Sequence, residues 1–353
     1  MTQDSLTFRS VFRSVSQAVI LVLGASLILS ARAQSYQPMC ASEATYTSLE
    51  GRGLYIQGGL FKTGLSTAAA FMIDLSESWD INNPKYKELP GGRVQYHSAS
   101  GITSDGKLWT ILTDVPGSDQ GSYGSSYNAT SNNWSDLFQL DTYSIPFLTG
   151  ATDHKTDMMY IPFGYANADR TKGMLRVSLK TGDTTSDCRS HSMNQQDNYA
   201  TAWNPLRKSV IYVSQDGVFQ YTWEKGWNPF FSKGLDILPE GYSCLVSVSG
   251  GTKMALFGGI NKEKTATIGD IYVLDLTKQG KERWIKAPVD SKQKSQIARQ
   301  GAACGSTGDQ VIIWGGNTLI SGQFQRPKQQ TLVFNVKTMK WTDRYIAPKK
   351  TPE

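Results

Sequence analysis

The sequence predicts an all-β protein in which one four-stranded unit is used six times. Three observations carry that expectation. First, an apolar strand recurs about every fifty residues and three times ends in a glycine pair: Leu54-Tyr55-Ile56-Gln57-Gly58-Gly59, Met254-Ala255-Leu256-Phe257-Gly258-Gly259 and Ile312-Ile313-Trp314-Gly315-Gly316, with weaker copies at 108–112, 159–164 and 211–214. Second, aligning Tyr55, Trp109, Tyr160, Tyr212, Ala255 and Ile312 gives spacings of 54, 51, 52, 43 and 57 residues, and a fixed period marks a repeat architecture. Third, turn residues and β-branched or aromatic residues dominate, while no window beyond residue 33 holds a 3.6-residue apolar period.

Taken in chain order, residues 1–33 read as a signal peptide outside the fold. Arg9 and Arg13 precede an apolar run at 18–29 broken only by Gly24 and Ser26, and Ala31-Arg32-Ala33 supplies small residues two apart, as signal peptidase requires. A retained signal anchor is the less favoured alternative, because a span wants about 18 or more apolar residues. Cleavage leaves a chain beginning at Gln34 with 33 basic and 29 acidic residues, a net charge of +4. That mild charge, without a basic run interleaved with aromatics, argues against a nucleic-acid partner. No later stretch is long enough to span a membrane, so the expected location is extracellular, including association with a cell surface or wall. Size alone would suggest two domains, but a ring of repeats makes one, over 34–347. Residues 348–353 form a short tail, and Pro348-Lys349-Lys350-Thr351-Pro352 reads like the start of a linker that could lead to a membrane anchor.

Each unit divides into four short strands. Around Ile271, the first strand is expected at 244–250, the second at 253–257 after a Gly250-Gly251-Thr252 turn, and the third at 271–276, with Trp284 opening the fourth. Third strands elsewhere are expected at 71–75, 137–140, 174–179, 218–221 and 332–336, where polar residues take alternate positions. On these residues, the chain resembles the kelch repeat, the blade unit found also in the central domain of galactose oxidase. The resemblance spans 40–346. It rests on the three glycine pairs, on Trp79, Trp227, Trp284 and Trp341 downstream, and on Arg93 with His97-Ser98-Ala99 as the opening of a first strand. It implies a β-propeller of six four-stranded antiparallel blades, with seven as the alternative. A glycine pair lets the backbone leave the second strand through conformations that cost other residues about 1 kcal/mol or more. An indole between two blades buries about 200 Å² and ties one to the next. The second unit departs from the pattern, lacking both the glycine pair and a fourth-strand tryptophan; Trp134 reads as a loop residue. The third and fourth units also lack the pair. No lone strand is clearly left over to close the ring, although 35–40 could add to the last sheet.

The connections divide by face. First and second strands are joined by tight turns at 104–106, 153–157, 204–208, 250–252 and 307–309, and second and third strands by longer segments at 60–67, 114–136, 165–172, 260–269 and 317–329. Long loops gathered on one rim of a rigid scaffold are where recognition usually resides. A protein or glycan partner is therefore expected on that rim, held by Phe61, Tyr123, Tyr127, Tyr165, Arg170, Phe324 and Arg326. His154, Arg207 and Asp309, on the opposite turns, are expected to contribute nothing. Asn128 and Asn133 head two N-glycosylation sequons in the longest loop, where glycans would obstruct part of the rim.

Residues suited to catalysis do not assemble into a pattern. Cys40, Cys188, Cys244 and Cys304 allow three disulfide connectivities and hold no close pair suited to zinc or redox chemistry. A copper radical site needs two imidazoles converging with phenolate oxygens, and His97, His154 and His191 share no spacing. Asp114, Asp119 and Asp136 share a loop with Tyr123 and Tyr127, an arrangement read as solvated polar surface in preference to a glycosidase pair. Ser98 and Ser100 lie in no nucleophile elbow, and the glycine pairs end strands instead of opening helices as phosphate cradles do. The expectation is a non-catalytic recognition scaffold without cofactor or metal. The alternative is an extracellular carbohydrate-active enzyme or oxidase related to galactose oxidase.

Overall fold

Strands form wherever the alternating apolar pattern recurs, and in the computed structural model they assemble into six four-stranded antiparallel sheets. The described residues are 36–61, 63–93, 98–114, 122–140, 149–163, 173–187, 189, 199–230, 234–235, 241–278, 283–289 and 291–349. The chain divides into Met1–Gln37 and Pro38–Glu353, and the second unit carries all six sheets.

Blade 1 holds β1 (Thr45–Leu49), β2 (Gly53–Gln57), β3 (Ala70–Asp74) and, after the two-residue β4 (Trp79–Asp80), β5 (Tyr86–Leu89). Blade 2 is β6 (Ser100–Ile102), β7 (Leu108–Asp114), β8 (Ser122–Asn128) and β9 (Asn133–Leu140). Blade 3 is β10 (Ala151–Asp153), β11 (Met158–Pro162), β12 (Met174–Ser178) and β13 (Thr184–Asp187). Blade 4 comprises β14 (Ala200–Asn204), β15 (Ser209–Ser214), β16 (Gly217–Thr222) and β17 (Gly226–Pro229). Blade 5 comprises β18 (Cys244–Val248), β19 (Lys253–Phe257), β20 (Ile271–Asp275) and β21 (Trp284–Lys286). Blade 6 holds β22 (Gln300–Thr307), β23 (Gln310–Ile320), β25 (Thr331–Asn335) and β26 (Lys340–Thr342), with β24 (Gln323–Gln325) paired to the far end of β23. Among the described residues one α-helix occurs, Ser291–Ile297, between blades 5 and 6. The first strands of the six blades neighbour one another in chain order, and β22 returns to lie against β1. The molecule is a six-bladed β-propeller.

Burial explains the sequence pattern. Second strands are buried on both faces, as β2 and β15 show throughout, because each is sandwiched between the neighbouring blades. They therefore read as nearly continuous apolar runs. Outer strands such as β5 and β13 are largely exposed and polar. The cores lie between blades: one joins Ile211 and Val213 of blade 4 to Leu256 and Leu274 of blade 5, and another joins Phe257 of blade 5 to Phe334 of blade 6. The glycine pairs serve this contact. Gly258 has φ +72°, and a Cβ there would stand 2.5 Å from the Arg299 carbonyl oxygen. Gly259 N–H donates to that same oxygen at 3.0 Å. Close backbone approach between blades, as much as the turn, demands glycine.

Three assignments made from sequence change. Residues 122–140 form the β8–β9 hairpin, so blade 2 takes its third strand from 122–128 and its fourth from 133–140. Trp134 consequently stands on a fourth strand; its ring lies 5.3 Å from Trp109, and its Nε1–H donates to the Pro90 carbonyl of blade 1 at 2.8 Å. The period extends into blade 2 after all. Trp79, by contrast, lies on β4 outside the blade and stacks on Tyr345 at 4.9 Å. There β4 pairs with β27 (Arg344–Tyr345), which closes the ring together with a Gly316 N–H bond to the Ala41 carbonyl at 2.9 Å. Residues 36–40 join no sheet.

The tight turns of successive blades are clasped to one another. Arg52 of blade 1 donates to the Asp105 carbonyl of blade 2. Ser104 of blade 2 donates through N–H to Asp157 of blade 3 at 2.7 Å, Asn204 of blade 4 to the Gly251 carbonyl of blade 5 at 2.8 Å, and Ser249 of blade 5 through N–H to the Gly308 carbonyl of blade 6 at 2.8 Å. Gly308 N–H in turn donates to Glu50 of blade 1 at 2.9 Å. A disulfide, Cys244–Cys304, joins the first strands of blades 5 and 6, and Cys40 is buried as a free thiol.

Candidate functional site

On the long-loop rim, the described structure gathers residues from blades 6 and 1. Strand β23 runs eleven residues because it continues past the blade into a ribbon with β24, turned by Ser321 (φ +50°) and Gly322 (φ +76°). Two central residues with positive φ give the turn whose twist matches paired strands. The segment read as a loop over 317–329 is thus largely a β-ribbon, and it carries Ile320 and Phe324 at 48% and 44% exposure. Beside it, the 60–67 loop is held by Phe61 N–H to the Leu65 carbonyl at 2.9 Å and presents Leu65 at 67% exposure. The Arg326 guanidinium lies 5.9 Å from the Phe61 ring centroid. Arg326, Phe324 and Leu60 also line a recess of about 20 Å³ next to Cys40.

Three of the seven expected anchors, Phe61, Phe324 and Arg326, therefore come together. Tyr127 does not join them: it stands on β8 at 3% exposure, packed on Trp134, with its hydroxyl donating to Asn132 at 2.7 Å. Its place in the chain resembles a loop because 122–136, with Trp134 the exception, is polar apart from Gly, Ala and Tyr. Tyr123 is on the same strand, with its side chain outside the described atoms, and Tyr165 and Arg170 lie outside the described residues. Asp136 is likewise on a strand, ion-paired with Arg93 at 2.6 Å and accepting from Ser125 at 3.0 Å. Asn128 and Asn133 flank the β8–β9 turn, where Ala129 N–H donates to the Lys107 carbonyl at 2.8 Å. That places both sequons on the tight-turn face, opposite the rim they were expected to obstruct.

Beneath the ring of tight turns, the first strands enclose a cavity of about 240 Å³, lined by Tyr46, Ser48, Thr152, His154, Ser247 and Ser306 among others. The sequence places His154 in a tight surface turn, away from the partner-binding rim. It is half-buried at the end of β10 and faces this cavity, and its Nδ1 has no hydrogen-bond partner among the described residues. Burial pushes its pKa down, against the carbonyls of Ile102 and Ser48 and the carboxylates of Asp157 and Asp153, which favour the charged ring. The imidazole is neutral at pH 7. Tyr46 is held as a phenol by burial, its hydroxyl 3.8 Å from the Cys304 sulfur. His97, His191 and Cys188 lie outside the described residues.

Arg299 was not singled out from sequence. It is fully buried at the junction of blades 5 and 6 and donates to the carbonyls of Ile297, Gly315 and Gln330 at 3.0, 3.2 and 3.3 Å. Burial pulls its pKa down to about 10, so it remains a cation at neutral pH. It immediately precedes β22, and Arg93, seven residues ahead of β6, differs from it in being exposed and ion-paired.

Fold and site together define a six-bladed β-propeller with an elaborated rim between its last and first blades. Among solved structures, the chain is similar to one described as "Structure of YjhT", with a TM-score of 0.61 and 13% identity over 87% of this chain and 98% of that one. That likeness is one of fold. No protein-family model matches the chain, and no curated protein matches it by sequence.

Proposed function

We propose that the protein is a secreted recognition scaffold that binds a partner, a protein in preference to a glycan, through the rim between blades 6 and 1. The carrying observation is the exposed Phe324 and Leu65 beside the Phe61–Arg326 pair. Exposed apolar side chains gathered in a patch mark interaction surfaces, and arginine is among the residues in which interfaces concentrate affinity. Such side chains make contacts and transfer no protons, which favours a non-catalytic role. The glycine pairs, and the tryptophans at 134, 227, 284 and 341, support reading the blades as kelch-type units. Secretion is supported by the residue pattern at 1–33 and by the Cys244–Cys304 bridge, since structural disulfides belong to oxidising compartments. N-glycans at Asn128 and Asn133 would then leave the rim clear.

The test is a combined Leu65→Asp, Phe324→Asp and Arg326→Glu variant, compared with the wild type for capture of extracellular partners by cross-linking. The variant is expected to be secreted at normal levels and to lose the partner. Retention of that partner by the variant removes the rim from consideration. Turnover of an oxidisable sugar by the purified protein replaces this reading with the enzymatic one.

A further inference from the structure

The turns of blades 3 and 4, 153–157 and 204–208, stand side by side on one wall of the ring. A groove of about 1020 Å³ opens there on the tight-turn face. Two half-exposed tryptophans line it, Trp203 at the end of β14 and Trp223 in the β16–β17 turn. Both are held in place from within. Trp203 stacks in parallel on Tyr160 at 5.2 Å and 9°, and the Arg176 guanidinium covers Trp223 at 4.0 Å. The turn carrying Trp223 is pinned to blade 3 by Arg189, which donates to the carbonyls of Trp223 and Glu224 while paired with Asp187 at 2.6 Å. Tyr221 donates to the same carboxylate at 2.7 Å.

We infer that this groove binds an acidic oligosaccharide. Rigid indoles offer flat apolar platforms to the C–H faces of pyranose rings without an ordering cost on binding. The volume lies at the top of the range for small-molecule sites, so a monosaccharide would leave most of it empty. Lys155, Arg207, Lys208 and Lys225 face it against Asp153 and Glu224, an excess of two positive charges. Asp153 is already bonded within its own turn, to Lys155 N–H at 3.0 Å and the Thr156 hydroxyl at 2.8 Å. The lining therefore selects a ligand that carries carboxylates or sulfates. Gln220 and Asn228 add amide groups suited to hydroxyls. This site is on the face opposite the rim proposed above and is independent of it.

The test uses the full secreted chain and isothermal titration with hexasaccharides of galacturonate, alginate and hyaluronan against maltohexaose and cellohexaose as neutral controls. At least one acidic hexasaccharide is expected to bind about tenfold more tightly than either control, and more weakly as salt is raised. Trp223→Ala should lower that affinity about tenfold. Because an indole change can disturb packing, a second variant reverses three exposed charges, Lys155→Glu, Lys208→Glu and Lys225→Glu. It should keep the wild-type melting temperature and lose the acidic ligand, while the rim variant should keep it. No binding of any acidic hexasaccharide at about 1 mM, equal binding of the neutral ones, or unchanged binding in the charge-reversed variant overturns the inference. So does tighter binding of a single-stranded oligonucleotide than of every acidic hexasaccharide.

Discussion

Removing Trp284 while leaving its neighbour Ile285 in place asks directly whether the indole ties blades 4 and 5 together. Trp284 is 1% exposed and packs in a core that contains Ile211 and Val213 of blade 4 and Leu245 and Leu256 of blade 5. Ile285, the next residue on β21, is 53% exposed. An indole buries about 200 Å² of mainly apolar surface, which at about 25 cal/mol per Å² is worth about 5 kcal/mol. Measured large-to-small changes at such sites cost about 3–5 kcal/mol, since the surroundings collapse only partly. With a urea slope of about 3 kcal/mol/M, Trp284→Ala should move the unfolding midpoint down by about 1–1.7 M. Ile285→Ala, which opens no cavity, should change stability by less than about 0.5 kcal/mol. Equilibrium urea unfolding, followed by tryptophan fluorescence and far-ultraviolet circular dichroism together, gives both numbers. Equal shifts for the two variants, or a cost below about 1 kcal/mol for Trp284→Ala, would refute the argument that fourth-strand tryptophans bind one blade to the next.

Gly258→Ala should cost about 1–2 kcal/mol from its backbone conformation and more from the collision with the Arg299 carbonyl, whereas Gly308→Ala, at φ +55° with open space around it, should show only the conformational part; differential scanning calorimetry of the pair separates the two. Peptide mapping without reductant should find Cys244 linked to Cys304, and Cys304→Ala should lower stability by about 4 kcal/mol, the entropy of closing a loop over a separation of 60 residues. Asp157 is buried, which by itself would raise its pKa, but bonds from Lys180 and Ser104 outweigh burial and hold its pKa below the usual carboxylate range. A lowered folded-state pKa contributes stability that is complete above the unfolded value of about 4 and is lost as pH falls through the folded value. Asp157→Asn should therefore be less stable by about 1.5–3 kcal/mol at pH 7, and the gap should close below about pH 4 in a series of denaturation curves.

Reading this chain by period and by face met different limits. The blade period was legible because inter-blade burial writes itself directly into composition. A second strand covered on both sides must be apolar along its length, as 209–214 is, and an exposed outer strand cannot be, as 184–187 shows. Blade 5 was placed to within two residues on every strand for that reason, and the glycine pairs marked the points where backbones of adjacent blades touch. Blade 2 misled for the converse reason. Residues 122–136, its third strand and the start of its fourth, are mostly Ser, Tyr, Asn and Asp, so polarity there resembled a loop although Trp134 packs against Trp109 and Tyr127.

What the sequence by itself determined is the repeating unit, the number of blades and which connections are short, because these depend on residues close together in the chain. The tertiary structure alone decided the rest. Ring closure depends on Tyr345 meeting Trp79, and the rim cluster on Arg326 meeting Phe61, pairs separated by most of the chain. His154 became a cavity residue, and Trp203 and Trp223 the walls of a groove, only once the blades stood side by side. Local patterning specifies what each strand buries; which side chains then converge depends on how six similar sheets are rotated about one axis, and that angle leaves no periodic trace in the residues themselves.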